Sequence, residues 1–98
     1  MENGDYISVK ELCRHYAIEY SFVSQLSEHG LIELIEVGEQ SAIRMERLGE
    51  FERHLRMHYE LDINFEGLEV IAHLLEKLDS MQSELHHLRA RLKNEGLE

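Results

Sequence analysis

A mainly α-helical chain with a small β-hairpin and one long C-terminal coiled-coil helix is the fold class this sequence predicts. Three observations predict it. Between Ile71 and Leu92 apolar residues recur at alternating spacings of three and four. Between Ser8 and Gly30 two short helical patterns flank a turn. Between Leu31 and Arg44 apolar and β-branched residues alternate with polar ones around Gly38-Glu39.

The opening Met1-Glu2-Asn3-Gly4-Asp5 is acidic and polar, which predicts a frayed terminus and no secretory signal. Tyr6-Ile7 reads as a short strand. Ser8, with Glu11 three residues on, forms a capping box. Behind it Val9, Leu12, Cys13 and Tyr16 keep helical spacing, so a helix is expected over Val9–Tyr16. Ala17, Ile18 and Glu19 make the turn. A second helix follows over Tyr20–His29, with Val23 and Leu26 facing inward and Gly30 ending it as the residue that takes positive φ without penalty. Leu31–Val37 reads as a strand, and Gln40–Arg44 returns beside it. A third helix is expected over Met45–Leu61, with its apolar stripe at Leu48, Phe51, Leu55 and Tyr59. Asp62-Ile63-Asn64 interrupts the pattern, and Asn64 is a good N-cap for a last helix running from Phe65 to about Asn94. Gly67 falls in its first turn, where a glycine does least harm.

That last helix carries the clearest pattern. Ile71, Leu74, Leu78, Met81, Leu85, Leu88 and Leu92 fill every a and d position of three heptads. A 3.5-residue repeat needs a partner helix along its whole length, and about 45 Å of helix is more than the preceding chain can cover. Self-association through these seven residues is therefore expected, and folding back onto the chain's own first and third helices is the alternative. Lys77, Glu84 and Arg91 take g positions and Gln82 and Arg89 take e positions, so that Glu84 would meet Arg89 if the partner runs parallel, with parallel and antiparallel pairing both open. The expected organisation is a single compact domain, with residues 1–61 as the helix-turn-helix region and its connecting helix, and 62–98 as the dimerisation helix.

Composition bounds the function. Ninety-eight residues make one domain and leave little room for an enclosed active site. Twenty acidic residues against ten basic ones give a net charge of -10, which argues against wrapping nucleic acid or coating an anionic membrane and favours a basic protein partner. Cys13 is the single cysteine, so no intrachain disulfide forms and a reducing compartment suits the chain. With no apolar run long enough for a membrane span, the expected location is the cytoplasm.

Helix, turn, helix, glycine, then a two-stranded hairpin is a winged helix-turn-helix order. The stretch from Tyr6-Ile7-Ser8-Val9-Lys10-Glu11-Leu12-Cys13 to Glu28-His29-Gly30-Leu31-Ile32 resembles the opening of the MerR superfamily, in which a two-helix segment leads into a long dimerising helix. Setting Gly30-Leu31 on that superfamily's Gly-Leu places its usual Arg-Tyr-Tyr run at Ser24, Gln25 and Leu26, and an upstream basic position at Ser21. Tyr20–His29 contains no Lys or Arg, and the hairpin region offers Arg44 among Glu33, Glu36 and Glu39. A wing that grips phosphates does not carry three carboxylates. The scaffold is present and its DNA chemistry is missing.

One branch of this scaffold fits better. The chain resembles the chaperone-modulator family called CbpM in Glu11-Leu12-Cys13 of the first helix and in a second helix without cations. It also does so in the block Tyr59-Glu60-Leu61-Asp62-Ile63-Asn64-Phe65-Glu66-Gly67-Leu68 and in the basic, leucine-rich Leu88-Arg89-Ala90-Arg91-Leu92. Glu66 stands where that family often has proline. The resemblance implies a non-enzymatic regulator that binds the J-domain of a co-chaperone similar to curved-DNA-binding protein A. Binding would keep the J-domain from its Hsp70 partner and curb the co-chaperone's own DNA binding. A MerR-type transcriptional regulator that binds DNA as a dimer is the alternative. J-domains present a basic helix, to which the carboxylates of Glu33, Glu36, Glu39, Glu46 and Glu50 form the first candidate contact face. Glu60, Glu66, Glu69 and Glu76 form a second. No cofactor is expected. Glu50, His54 and His58 share helical spacing suited to zinc, but a His- and Glu-rich face is more simply a solvated one. His86-His87 read as surface, and His15 and His29 as interhelix or capping groups. Cys13, with no base beside it, is not a nucleophile, so no catalytic residue is expected.

Overall fold

The computed structural model describes residues 5–96. Of the opening expected to fray over Met1–Asp5, residues 1–4 lie outside the described residues, as do the last two positions of the expected 62–98 segment, while Asp5 is held by its carbonyl, which accepts from the Met45 N–H. Ser8 ends strand β1 (Tyr6–Ser8) and caps helix α1 (Val9–Tyr16), its hydroxyl accepting from the Glu11 N–H at 3.1 Å. The Glu11 carboxylate pairs with Arg14 one turn on. Ala17 adopts the left-handed conformation (φ 55°) and turns the chain into helix α2 (Tyr20–Glu28). That helix stops one residue short of the expected His29. Gly30 sits at φ 72°, and the Leu31 N–H donates back to the Leu26 carbonyl at 2.8 Å, closing a Schellman-type end.

The strand expected over Leu31–Val37 is shorter. Leu31 and Ile32 turn inward and are only 7% and 8% exposed, so they plug the core below α2 rather than pair in a ladder. Strand β2 is Ile35–Val37, and Glu33 precedes it instead of lying on the hairpin. Gly38, at φ 66°, and Glu39 turn the chain into β3 (Gln40–Arg44). The sheet has three antiparallel strands in the order β1-β3-β2, with Ile7 opposite Ile43 and Ile35 opposite Ala42. Tyr6-Ile7 is thus an edge of the same sheet, which seals the hairpin to α1.

The third helix also starts later than expected. Met45 still bonds back to the Asp5 carbonyl at 3.0 Å, so Met45–Arg47 forms a tight 3-10 turn before helix α3 (Leu48–Tyr59) begins. Asp62, at φ 57°, ends the connection short of α4 (Phe65–Asn94). Asn64 accepts from the Gly67 N–H at 2.8 Å. A Cβ at Gly67 would stand 2.8 Å from the Ile63 Cγ2, so the glycine is what lets the α3–α4 corner close around its cap.

The core is filled by Leu12, Val23, Leu26, Phe51 and Leu68, all fully buried. Phe22 gathers an aromatic cluster, with Phe51, His58 and Phe65 at ring-centroid distances of 6.2, 5.1 and 5.9 Å. Those contacts bind α2, α3 and the first turn of α4 together. Beyond Ala72 the picture changes. Every residue from His73 to Gly96 is exposed, so the C-terminal stripe does not fold back on the chain. The molecule measures 56 × 37 × 20 Å, with a radius of gyration of 17.7 Å, where a compact chain of this length has about 13 Å.

Candidate partner-binding surfaces

The outward face of α2 presents Tyr20, Ser21, Gln25 and Glu28 to solvent, while Phe22, Val23 and Leu26 seal its inner face. In a helix-turn-helix this outward face is the one that meets a groove, and here it carries no cation. Around it Lys10, Arg14, Arg44 and Arg47 are exposed, with Arg14 engaged by Glu11 and Arg47 facing Glu50 at 3.9 Å.

Glu33, Glu36, Glu39 and Glu46 are exposed, as the first candidate face requires, and Glu50 is half-buried. Glu36 accepts from the Ser41 hydroxyl across the hairpin at 3.0 Å. Glu60, Glu66 and Glu76 of the second face are exposed, but Glu69 is engaged by the His29 ring, which also stacks on Phe65 at 5.5 Å. His29 is thus an interhelix group. Glu50 and Glu76 come together instead. With Asp79 they line a groove of about 590 Å³ between α3 and α4, which takes one member from each expected face.

His54 lies at the same groove and is 1% exposed, where the sequence suggested a solvated face. The stripe of α3 is rotated toward Phe51 and His54, so that Tyr59, expected inside, is 53% exposed. The spacing of His54 three residues after Phe51 carried that signal. Its Nδ1 has no hydrogen-bond partner. Burial is the main reason its pKa falls below 6.5. The Arg53 charge adds to that, while the Glu50 charge and a hydrogen bond with the Leu31 backbone oppose it. His58 is committed elsewhere, its Nδ1 bonded to the Ile63 carbonyl at 2.8 Å. The Glu50, His54, His58 set is therefore not a shared chelate, and among the described residues no group of three or more His, Cys, Asp and Glu side chains is placed to hold a metal.

Cys13 is half-buried, and burial pushes its thiol up, away from the nucleophilic thiolate. Tyr16 donates its hydroxyl to Glu52, and its pKa is pushed up to about 12 by burial, then by that hydrogen bond and the Glu52 charge. His15 is exposed, its ring edge-on to that of Tyr16, and His86 and His87 are exposed as expected.

On α4, Leu74, Leu78, Met81, Leu85, Leu88 and Leu92 are each between 42% and 57% exposed, with Ile71 half-buried at the base. Six large apolar side chains in one line on a lone helix form a long apolar stripe bare to water. Among the described residues no helix is long and apolar enough to cross a membrane.

Two comparisons bear on these surfaces. The family model described as "MerR HTH family regulatory protein" matches residues 7–90, from β1 through most of α4. The chaperone modulatory protein CbpM of Pseudomonas entomophila (strain L48) is 25% identical over 87 residues, which cover 88% of this chain and 86% of that protein.

Proposed function

The chain belongs to the MerR HTH family of regulatory proteins, and from that premise we propose that it is a non-enzymatic chaperone modulator that binds the J-domain of a co-chaperone. In this reading the bound J-domain is kept from stimulating its Hsp70 partner, and the co-chaperone's DNA binding is curbed as well. The observation that carries the reading is a helix-turn-helix scaffold whose exposed α2 face holds no Lys or Arg. Similarity to a protein named for chaperone modulation, end to end rather than over one motif, supports it. A net charge of -10 suits a basic partner, since complementary charge speeds encounter.

The modulator acts as a homodimer joined by α4, in the cytoplasm, where J-domain co-chaperones work. The charges of α4 favour antiparallel pairing. Residues 65–80 carry Glu66, Glu69, Glu76 and Asp79 against Lys77, whereas residues 81–94 carry Arg89, Arg91 and Lys93 against Glu84. Antiparallel helices set the acidic half of each on the basic half of the other. With Leu78 layered on Met81 of the second copy, Lys77 faces Glu84 on both sides of the seam.

Calorimetry against purified J-domains encoded by the same genome tests the proposal, together with Hsp70 ATPase stimulation. Stimulation should fall in proportion to J-domain occupancy. Tight binding with unchanged stimulation would remove the mechanism, and no binding by any of those J-domains would remove the reading. A DNA-binding regulator has the same scaffold behind it. A gel shift at low salt separates the two, because ordinary domains bind duplexes non-specifically at about 10⁻⁴–10⁻⁶ M through cations that α2 lacks. A discrete complex that survives competitor DNA would favour the regulator.

A further inference from the structure

We infer that the groove between α3 and α4 receives an arginine side chain of the bound partner protein, an inference that rests on the modulator reading above. Three carboxylates, from Glu50, Glu76 and Asp79, line the groove with the guanidinium of Arg53, and Arg47 faces Glu50 at 3.9 Å, which leaves Glu76 and Asp79 as the carboxylates without an ion pair. Charge alone would leave this an acidic patch. The second observation is His54, 1% exposed and without a partner for Nδ1. A buried polar atom left unpaired is costly, and native proteins rarely leave one without a use. In the neutral tautomer whose proton sits on Nε2, Nδ1 holds a lone pair and calls for a donor.

The groove's apolar lining selects among donors. Leu31 and Leu75 line it beside the acids, and they suit the three-methylene stem of arginine. A guanidinium offers five N–H groups in a plane, enough for carboxylates and an imidazole nitrogen at once. The groove borders the dimer seam, since Leu78 lines both, so a second copy is the rival source of the cation. In the antiparallel register its Arg89 and Arg91 fall level with Val70 and Leu68, below the groove, and its Lys77 falls level with Gln82 at the far end. A lysine brings no guanidinium, so the arginine comes from the partner.

The test has two arms. In the first, the intact labelled protein is titrated with N-acetyl-arginine N-methylamide while the His54 ring nitrogens and the Gly30, Leu31 and Asp79 amides are followed by NMR. Saturable shifts are expected at the groove, including Nδ1, absent with the glutamine analogue and absent in the Glu76→Gln, Asp79→Asn double variant. Shifts spread over all acidic surfaces, or none at His54, would overturn the inference whatever the J-domain does. In the second, the same exposed-site variant is titrated with the J-domain. Its affinity should fall about tenfold, the scale of a partly exposed charge contact, while a Glu36→Gln, Glu39→Gln hairpin variant stays close to the parent. Equal affinity for groove variant and parent would overturn the groove as the contact. If the parent protein bound no J-domain, the modulator reading would fall, and the arginine titration would still decide the groove.

Discussion

Leu68 and Leu85 lie on the same helix, one fully buried and the other 48% exposed. Leu68 is held by α2 and α3 in a core that also takes in Phe51 and Leu26. Leu85 sits on a stretch of α4 where every residue is open to water. The body buries a core within one chain although Tyr20, Tyr59 and Leu61 stay exposed, and the shaft buries none of its leucines. An isolated helix is marginal in water, and most helical stability comes from packing an apolar face. The shaft thus needs a second molecule to cover its apolar stripe, whereas the body has a core of its own.

The largest effect should come from breaking the body. Phe51→Ala removes the fully buried ring that meets both Tyr16 and Phe22, at a cost of about 3–5 kcal/mol. A domain of this size has little more to lose, so loss of the cooperative melt by near-UV circular dichroism is expected. Survival of that melt would mean the shaft, not the core, holds the fold.

Next in size is breaking the shaft. Leu78→Asp with Leu85→Asp places carboxylates in the proposed seam, where unpaired charge costs several kcal/mol. Sedimentation should give a monomer, with the body's near-UV signal retained because both positions lie outside the core. A parent protein that is already monomeric at high micromolar concentration would remove the contrast altogether.

Much of this contrast was legible in the sequence, and where it was not the reasons are physical. Val9–Tyr16, Gln40–Arg44 and Phe65–Asn94 match their expected bounds, because a cap or a turn marks each start: Ser8, Gly38-Glu39, Asn64. Leu31–Val37 misled because adjacent Leu31 and Ile32 are both buried, which a strand covered on one face does not allow, and only Ile35–Val37 pairs with β3. The start of α3 was hidden because the sheet pairing that holds Met45 is long-range. As for the site, the exposed acids were visible, but the meeting of Glu50 with Glu76 and Asp79 depends on how α3 lies against α4. No spacing along one element encodes that crossing.

A smaller effect sharpens the boundary between the regions, where His54 anchors the groove. Its folded pKa lies below 6.5, chiefly through burial. The unfolded chain therefore takes up this proton first as pH falls, so the contribution is whole above 6.5 and is lost from there down through the depressed folded value. Melting temperature followed from about pH 8 to pH 5 should drop more steeply for the parent than for His54→Gln. Parallel curves would show that the ring is not buried at the boundary as described.

The smallest effect decides how two shafts pair. Antiparallel pairing sets Lys77 against Glu84 twice, whereas parallel pairing sets Glu84 against Arg89 of the second copy. Exposed pairs contribute about 0.2–1 kcal/mol each, so Lys77→Glu alone should weaken an antiparallel dimer by roughly that amount twice over. Adding Glu84→Lys restores opposite charges across an antiparallel seam. In a parallel dimer the same second change would put two cations face to face and weaken association further. The sign of the coupling between the two substitutions thus reports orientation, even though each effect is small. Sedimentation equilibrium in low salt should show the double variant recovering the parent's dimer constant. At about 1 M salt, where the screening length shrinks to roughly 3 Å, the parent and both variants should converge, because what then remains is the apolar seam they share.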